Sequence, residues 1–224
     1  MSIGFRILPR TRQVSAEYIE RFRVLPVANV SDCMFRMSAG GARLRPMHQD
    51  GVMAGPALTV KTAPGDNLMI HKALDLAEPG DIVVVDGGGD LTNSLIGELM
   101  LTYAITRGIA GLVINGAIRD ADAFPRHNLP TFAAGVTHRG PYKNGPGEIN
   151  VPIAIDGMII EAGDLMIGDC DGVLCVPFDH LEAVCAATEA KKAAEDIQIV
   201  EMRTDTADRS WVDNTLKALG CEVP

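Results

Sequence analysis

The feature that most constrains the fold is a run of four β-branched residues, Ile82-Val83-Val84-Val85. Such a run is typical of a strand that is buried on both faces. A helical pattern from about Ser94 to Arg107, closed by Gly108, separates it from a second apolar run at Gly111–Asn115. This strand–helix–strand order predicts two parallel strands that are joined by a right-handed crossover.

The flanking segments predict further short elements. Before the central unit we expect a helix over 15–23 that begins after Ser15, a short helix starting near Ser31 or Asp32, a strand over 51–62 broken at Gly55-Pro56, and a helix over 67–77. After it we expect strands over 149–155, 158–160, 165–167 and 173–176, an Asp156-Gly157 hairpin turn, a helix from Asp179 to about Arg203, and a polar tail. The residues alone therefore predict one α/β domain over 1–224, with parallel strands at its core and a C-terminal helical arm over about 180–224.

The composition and the net charge limit the kinds of binding partner that we expect. The chain carries a net charge of −9, with its basic residues dispersed. Nucleic acids and anionic membranes both require basic patches, so we expect neither as a partner. A small anionic substrate would need a local cationic pocket in this acidic protein, and a bound metal ion is a common way to supply one.

The cysteines and the apolar segments indicate a compartment. The five cysteines form no Cys-x-x-Cys pair, which argues against both a zinc knuckle and a disulfide framework. The first 26 residues lack the apolar run of a signal peptide, and no stretch approaches the ~20 apolar residues of a membrane helix. We therefore predict a cytoplasmic protein.

Two loops are predicted to share one edge of the sheet. The loop after Ile82–Asp86 enters the helix that carries Gly97-Glu98-Leu99-Met100, and the loop after Leu112–Asn115 carries Arg119-Asp120. Ligands of parallel α/β sheets bind beyond the carboxyl ends of the strands. If these strands are neighbours, a helix start, a glutamate, an arginine and an aspartate surround one crevice.

Each of these groups has a chemical use. Backbone N–H groups at a helix start hold a carboxylate, and Gly97 would allow a ligand to approach them closely. The Arg119 guanidinium offers two parallel donors to a carboxylate or an enolate, and Asp120 suits a hard cation such as Mg²⁺. From the residues alone, however, an Arg-Asp pair after a strand is more often a local ion pair, and a helical Glu98 is more often solvated.

Other catalytic patterns are weak. Gly87-Gly88-Gly89 lacks Gly-x-Gly-x-x-Gly spacing, because position 92 is threonine, so we expect a structural turn rather than a nucleotide-binding or methyltransferase loop. The histidines show no metal-ligand spacing, and we expect His71 on a helix flank. No nucleophile elbow is present, and nothing singles out Lys61 or Lys72 as a Schiff-base lysine.

With these residues in view, the chain resembles the 4-hydroxy-4-methyl-2-oxoglutarate aldolase and oxaloacetate decarboxylase group, which shares its fold with the regulator of ribonuclease E activity A. The hallmark of the enzymes is an acidic residue, twenty intervening positions and then Arg-Asp, which Glu98 and Arg119-Asp120 satisfy. Regulatory members typically lack that acidic residue. The resemblance extends over roughly Val30 to Pro177, through Gly65-Asp66-Asn67, Pro79–Asp86, Gly116–Asp120 and Asp171-Gly172-Val173.

The resemblance implies a role for each site residue. The backbone amides of Gly97, Glu98, Leu99 and Met100 would bind the carboxyl end of a small 2-oxo acid, and Arg119 would contact its keto or enolate oxygen. Asp120 would be the direct ligand of Mg²⁺ or Mn²⁺, and Glu98 would steer or deprotonate a water near the metal. An acidic residue from a neighbouring subunit's C-terminal helix would hold waters around the metal, and Glu195 is the positional candidate.

The resemblance also implies an architecture and an activity. It implies a three-layer β/β/α sandwich, assembled as a homotrimer or homohexamer with the C-terminal arm packed on a neighbouring subunit. The activity would be retro-aldol cleavage of a 4-hydroxy-2-oxo acid with release of pyruvate, decarboxylation of oxaloacetate, or both. The alternative is a non-catalytic regulator that binds a ribonuclease by protein–protein contact. The residues that recognise the distal half of the substrate are expected in loops such as Arg139 to Gly147.

Overall fold

A computed structural model of the chain describes residues 2–38, 40 and 42–222. The helices are α1 Ala16–Arg23, α2 Val27–Cys33, α3 Leu68–Leu76, α4 Glu98–Thr106, α5 Ala123–His127, α6 Leu181–Arg203 and α7 Ser210–Ala218. The strands are β1 Phe5–Ile7, β2 Arg45–Pro46, β3 Met53–Thr62, β4 Ile82–Asp86, β5 Ser94–Ile96, β6 Gly111–Ile118, β7 Thr131–Val136, β8 Gly147–Ile149, β9 Ile153–Ile155, β10 Met158–Ile160, β11 Leu165–Asp169 and β12 Gly172–Val176.

The predicted parallel core is confirmed. The main sheet has the order β1-β8-β3-β4-β6-β7-β2, and β3, β4, β6 and β7 run parallel to one another. The strands β4 and β6 are direct neighbours, with Asp86 opposite Asn115, so the two loops that follow them open at the same edge. Residues 82–85 are fully buried, as a strand covered on both faces requires.

Side chains alternate between two hydrophobic clusters on the two faces of this sheet. Val83 and Val85 pack with the buried sides of α3, α4 and α5, whereas Ile82 and Val84 pack with β9–β12 and with α1, α2 and the start of α6. The long strand β3 joins the two β layers, because its first half pairs with β11 and its second half with β4. The α/β sandwich with two β layers and a helical layer is therefore confirmed.

The predicted start of the central helix is wrong. The segment Ser94–Ile96 forms β5, which lies parallel to the end of β6, and α4 begins only at Glu98. The three β5 side chains are almost fully buried, and Ser94 is tied through its backbone and its hydroxyl to the carbonyl of Arg139. These tertiary contacts override the helical pattern. The correction matters because it places the N-terminus of α4, rather than its middle, at the crevice.

Two predicted strands have different limits. The segment 51–62 is not broken at Gly55-Pro56, because β3 continues through them and changes its partner there. A Cβ at Gly55 would collide with the carbonyl oxygen of Gly80, so glycine permits this close crossing. The segment 149–155 is divided, because Asn150 has a positive φ of 59° and ends β8. The Asp156-Gly157 hairpin joins β9 and β10 as predicted.

The helices near the termini also depart from the sequence prediction. The second helix begins at Val27 rather than near Ser31, because the carboxylate of Asp169 accepts the Val27 N–H at 2.9 Å. Ser15 precedes the first helix as predicted, but its side chain makes no capping bond. The segment expected to be a polar tail contains α7, and the last two residues of that segment lie outside the described part of the chain.

Two other expectations can be compared with the fold. All five cysteines are free thiols, and Cys175 and Cys185 are buried. In the described residues, no helix combines the length and the apolar character that crossing a bilayer requires.

Candidate active site

The start of α4 and the end of β6 are in direct contact. The Arg119 N–H donates a hydrogen bond of 2.9 Å to the carbonyl of Ile96, the residue that precedes Gly97. Asp120 then adopts a positive φ of 53° and turns the chain toward α5. The two loops that the sequence places at one edge of the sheet do converge, and they bring Arg119 and Asp120 to the N-terminus of α4.

Gly97 shows how close this contact is. A Cβ at position 97 would lie 2.5 Å from Oδ2 of Asp120 and 2.9 Å from Cγ of Arg119. Real Cβ atoms do not approach other atoms so closely, so only glycine leaves room for the Arg-Asp pair. The sequence predicts that Gly97 admits a ligand to the backbone, but the group that approaches it here belongs to the chain itself.

The carboxylate of Asp120 is held by one of its oxygens. Oδ2 accepts the backbone N–H of Glu98 at 3.0 Å and lies 3.8 Å from Nε of Arg119. Among the described residues, these contacts leave Oδ1 without a protein partner. The Asp120 side chain keeps 44% of its accessible surface, so Oδ1 can reach a ligand from solvent.

A cavity lies beside these residues. Its lining includes the helix start at Gly97, Leu99 and Met100, together with the Arg119 side chain. The complete lining is Asn67, His71, Ser94, Leu95, Ile96, Gly97, Leu99, Met100, Arg119, Pro141 and Lys143. Because the Glu98 N–H is already donated to Asp120, a bound anion would use other amides at this helix start, such as those of Leu99 and Met100.

Two polar residues at the start of α3, Asn67 and His71, line the cavity although the sequence assigned them no role. Asn67 is buried at the N-terminus of α3, and its Oδ1 has no hydrogen-bond partner among the described residues. His71 follows one turn later, on the cavity side of the helix. Burial, and to a lesser degree the charge of Lys143, hold the pKa of His71 below its usual value. The strand-end argument applied to β3 would have found Asn67 and His71, since they lie at the start of the helix that follows β3.

The loop that supplies Lys143 is fixed to the rest of the site. The buried carboxylate of Asp66 accepts the backbone N–H groups of Asn144 and Gly145 at 2.6 and 3.0 Å, and that of Leu68 at 2.9 Å. The same loop is paired with Gly65 and Asn67 through the backbone of Tyr142. The loop expected to meet the distal half of a substrate therefore does border the cavity.

The Glu98 side chain points toward α5. Its Oε1 lies 3.2 Å from Nη2 of Arg126 and 3.5 Å from Nε2 of His127. The carboxylate is half-exposed and is adjacent to Asp120 through its own backbone, although it does not itself line the cavity.

Glu195 is placed elsewhere within this chain. It lies on α6, where Oε2 accepts a bond of 2.7 Å from the amide of Asn29 and Oε1 lies 2.7 Å from Nζ of Lys191. Lys191 and Asn29 lower the pKa of this carboxyl group. Glu195 does not line the cavity of its own chain, so any role in the site requires a second copy.

The residues at the crevice fit one kind of metal site. No group of three or more His, Cys, Asp or Glu side chains in the described ranges could enclose a metal ion. Magnesium is commonly bound by one or two carboxylates, with waters and substrate oxygens completing its shell. The Oδ1 atom of Asp120 fits that pattern, and the site does not fit an ion that is enclosed by protein ligands alone.

The glycine-rich loop after β4 packs as a turn, as its spacing predicts. The Arg43 guanidinium lies directly on Gly89 and is bound by the carboxylate of Asp156 at 2.8 Å and the amide oxygen of Asn115 at 3.1 Å. The Asp86 carboxylate closes the loop by accepting the Gly88 N–H. This side of the sheet edge is therefore filled by protein groups.

Comparison with known sequences agrees with the geometry. Residues 27–175 match the family model described as RraA-like, Aldolase/RraA. A protein of Halalkalibacterium halodurans, named "Putative 4-hydroxy-4-methyl-2-oxoglutarate aldolase", is 39% identical over 184 residues, which cover 82% of this chain and 88% of that protein.

Solved structures show the same fold. An uncharacterized protein from Pseudomonas syringae pv. tomato matches with a TM-score of 0.77 and 25% identity, over 87% of this chain and 96% of that one. The RNA-processing inhibitor RraA from Thermus thermophilis matches with a TM-score of 0.62 and 27% identity, over 68% of this chain and 92% of that one. The similar proteins thus include one named as an aldolase and one named as an inhibitor.

Proposed function

The chain belongs to the Aldolase/RraA family, and from that premise we propose that it is a divalent-metal-dependent lyase of small 2-oxo acids. It would cleave the bond between carbons 3 and 4 of the acid, in which carbon 2 bears the keto group. The products would be pyruvate and a carbonyl compound from a 4-hydroxy-2-oxo acid, or pyruvate and CO₂ from oxaloacetate. The five free thiols suit the reducing cytoplasm as the compartment.

The observation that carries the proposal is the contact at Gly97. It holds a helix start, a guanidinium and a carboxylate together within a few ångströms at the mouth of a cavity. The three groups match the carboxylate of a 2-oxo acid, its keto oxygen and the cation that the acid would chelate. The amides of Leu99 and Met100 suit the carboxylate, Arg119 suits the keto oxygen, and Asp120 suits a cation shared with the substrate.

The bond-breaking step places negative charge where Arg119 can stabilise it. In the retro-aldol reaction the 4-hydroxyl loses its proton, the bond between carbons 3 and 4 breaks, and its electron pair forms an enolate on the keto oxygen. Protonation of carbon 3 then gives pyruvate. A charged donor at the oxyanion is commonly worth about 3–4 kcal/mol in the transition state.

The retro-aldol reaction also needs a base. Glu98 donates its backbone N–H to Asp120, and its carboxylate is half-exposed, so it can take the hydroxyl proton through one water. Decarboxylation breaks the corresponding bond with loss of CO₂ and requires no such base. When bound at Asp120, Mg²⁺ or Mn²⁺ would supply a Lewis acid beside the keto oxygen.

The far end of the cavity favours a substrate with a second negative group. Lys143 lines the same cavity as Arg119, and Asn67 presents an acceptor without a protein partner. Both 4-hydroxy-4-methyl-2-oxoglutarate and oxaloacetate carry a second carboxylate, which Lys143 would bind. The Asn67 Oδ1 would accept a hydrogen bond from a hydroxyl group or a water.

The C-terminal arm leads us to propose that the protein is a homo-oligomer. The distal half of α6, the helix α7 and the residue after it expose several large apolar side chains, namely Ile197, Ile199, Val200, Met202, Trp211, Leu216 and Leu219. We infer that this arm packs on a neighbouring copy in a homotrimer or homohexamer. Glu195 would take part in catalysis from that neighbouring copy.

The second candidate function is a non-catalytic regulator of a ribonuclease. The similarity to the RNA-processing inhibitor from Thermus thermophilis favours it. The presence of Glu98 beside Arg119-Asp120 favours the enzyme instead, because a regulator that acts through its surface has no need of this arrangement.

The test measures pyruvate release with and without metal. The purified protein is supplied with 4-hydroxy-4-methyl-2-oxoglutarate or oxaloacetate and Mg²⁺, and EDTA is expected to stop turnover.

Arg119→Ala should lower kcat/KM about 100- to 1,000-fold without unfolding the protein, because this side chain is 43% exposed. Exposed Arg36, which pairs with Asp32 on the surface, gives the matched control Arg36→Ala. A fully active Arg119→Ala variant, or a protein inactive on both substrates, would overturn the proposal.

A further inference from the structure

We propose that Arg126 and His127 are positioning residues that hold the Glu98 carboxylate in the orientation needed for proton transfer. The inference rests on the proposed function. Neither residue belongs to the acidic–Arg-Asp pattern, and neither lines the cavity. Their role would be to act on the reaction through Glu98 alone.

The first support is the short stretch of chain that connects Asp120 to Arg126 and His127. Asp120 turns the chain, its carbonyl accepts the Ala123 N–H at 2.9 Å, and α5 begins at Ala123. The side chain of Phe124 is fully buried against the helical layer, which fixes α5 beside α4. Residues at the end of α5 are therefore held at a constant distance from the α4 N-terminus.

The second support is the asymmetry of the Glu98 contacts. Nη2 of Arg126 and Nε2 of His127 both approach Oε1, at 3.2 and 3.5 Å. In the part of the chain that the structure describes, Oε2 has no such partner. A carboxylate that is anchored by one oxygen keeps the other free to accept a proton from a water, and it loses the freedom to rotate away from the site.

The third support is that Arg126 is itself held in place. Its Nη2 also lies 3.6 Å from the Asp122 carboxylate, one helical turn earlier, so the guanidinium sits between two carboxylates. The Arg126–Glu98 pair is half-exposed, so its strength is that of a surface ion pair. We expect it to adjust the geometry of Glu98 and to contribute little to folding.

These contacts predict an effect on one reaction more than on the other. Arg126→Met removes the cation and keeps the aliphatic length, and it should lower kcat for cleavage of 4-hydroxy-4-methyl-2-oxoglutarate about three- to fivefold, the change expected for a surface ion pair. KM should change little, because Arg126 does not border the cavity. The loss for oxaloacetate decarboxylation should be smaller, since that reaction needs no base.

The decisive experiment is a double-mutant cycle on the full-length protein with Mg²⁺. Arg126→Met is measured in the natural background and in the Glu98→Gln background, together with Arg126→Met/His127→Leu, the rescue variant Arg126→Lys and the control Arg36→Met. We expect the loss to disappear in the Glu98→Gln background and to be reduced in Arg126→Lys.

Several outcomes would contradict the positioning role of Arg126. Equal losses in both backgrounds, or equal losses for the two substrates, would show that Arg126 does not act through Glu98. Unchanged retro-aldol kinetics in both Arg126→Met and the double variant would also overturn the inference, while leaving the proposed function in place. A natural protein that releases no pyruvate from either substrate would overturn the proposed function and this inference with it.

Discussion

The backbone N–H of Glu98 donates a hydrogen bond of 3.0 Å to Oδ2 of Asp120. This bond joins the first residue of α4 to the turn that follows β6, and it fixes the direction of the Asp120 carboxylate. It also neutralises part of the carboxylate charge with a helix N-terminus. The Asp120 oxygen that remains, Oδ1, is thereby oriented before any ligand binds.

Replacing Gly97 by alanine should separate these groups. The added Cβ would lie 2.5 Å from Oδ2 of Asp120, so the carboxylate and Arg119 must move. Displacement of catalytic groups by about 1 Å can cost roughly 100-fold in rate, and we expect a loss of that size in kcat/KM for pyruvate release. The matched control is Gly135→Ala, where the Cβ would meet only the end of the half-exposed Leu91 side chain. Similar activity of the two variants would contradict the assigned geometry.

Replacing Glu98 by glutamine should distinguish the two reactions. Glutamine keeps the size of the side chain and the N–H that Asp120 accepts, but it cannot take a proton. General bases commonly contribute about 100- to 10,000-fold, so retro-aldol cleavage should fall by at least 100-fold. Decarboxylation of oxaloacetate should fall much less. Equal losses in steady-state assays with both substrates would exclude Glu98 as the base.

The sequence predicts the central strands of the sheet better than it predicts the segments that flank them. The short apolar runs at 82–85 and 111–115 are rich in β-branched residues, which is typical of strands buried on both faces. The sequence makes the meeting of their two loops conditional on these strands being neighbours, and the structure shows that they are. The fold class could therefore be predicted, and so could the proximity of Arg119 and Asp120 to the helix start once the strands are taken as neighbours.

Other features depend on contacts that no local pattern contains. The segment 94–96 becomes a strand because β6 extends far enough to pair with it and because Arg139 supplies a distant carbonyl. His71 and Lys143 are 72 residues apart in the sequence, and they meet only because Asp66 holds the second loop. The position of Glu195 relative to a neighbouring copy depends on assembly, which a single chain does not specify.

Replacing Glu195 by glutamine tests the contribution of a neighbouring copy. Within its own chain Glu195 pairs with Lys191 and Asn29 at a half-buried site. Glutamine still accepts the bond from Asn29, so the substitution should change the free energy of unfolding by no more than about 1 kcal/mol. If the neighbouring copy brings it to the cavity, kcat should fall at least about tenfold. The control Asp196→Asn alters the next carboxylate on α6, which pairs with Lys192. Full activity of Glu195→Gln would remove this residue from the proposed site.

His71 should titrate below its ordinary value of 6.5, chiefly because burial disfavours its charged form and secondarily because of Lys143. Its imidazole is then neutral at pH 7. The unfolded chain binds this proton more readily, so the His71 contribution to stability falls as the pH drops through 6.5 toward the lower folded pKa. NMR titration of the ring should show that Lys143→Met raises the pKa but leaves it under 6.5. A midpoint at or above 6.5 in the natural protein would contradict the burial of His71.

Asp66 should be important both for stability and for substrate affinity. Its buried carboxylate accepts three backbone N–H groups, and Asp66→Ala would leave them without their acceptor. Unsatisfied buried donors cost about 1–3 kcal/mol each; because the loop can relax toward water, we expect a total loss of about 2–4 kcal/mol in the free energy of unfolding. KM for 2-oxo acids should also rise, since Lys143 and Pro141 belong to the released loop. In Asp208→Ala, the control, an exposed carboxylate loses the N–H of Ser210 at the start of α7, with an expected change of about 1 kcal/mol or less. Urea denaturation measures the effect on stability, and steady-state kinetics measures the effect on KM. If Asp66→Ala is as stable as Asp208→Ala and its KM is unchanged, then Asp66 does not hold the loop against the cavity.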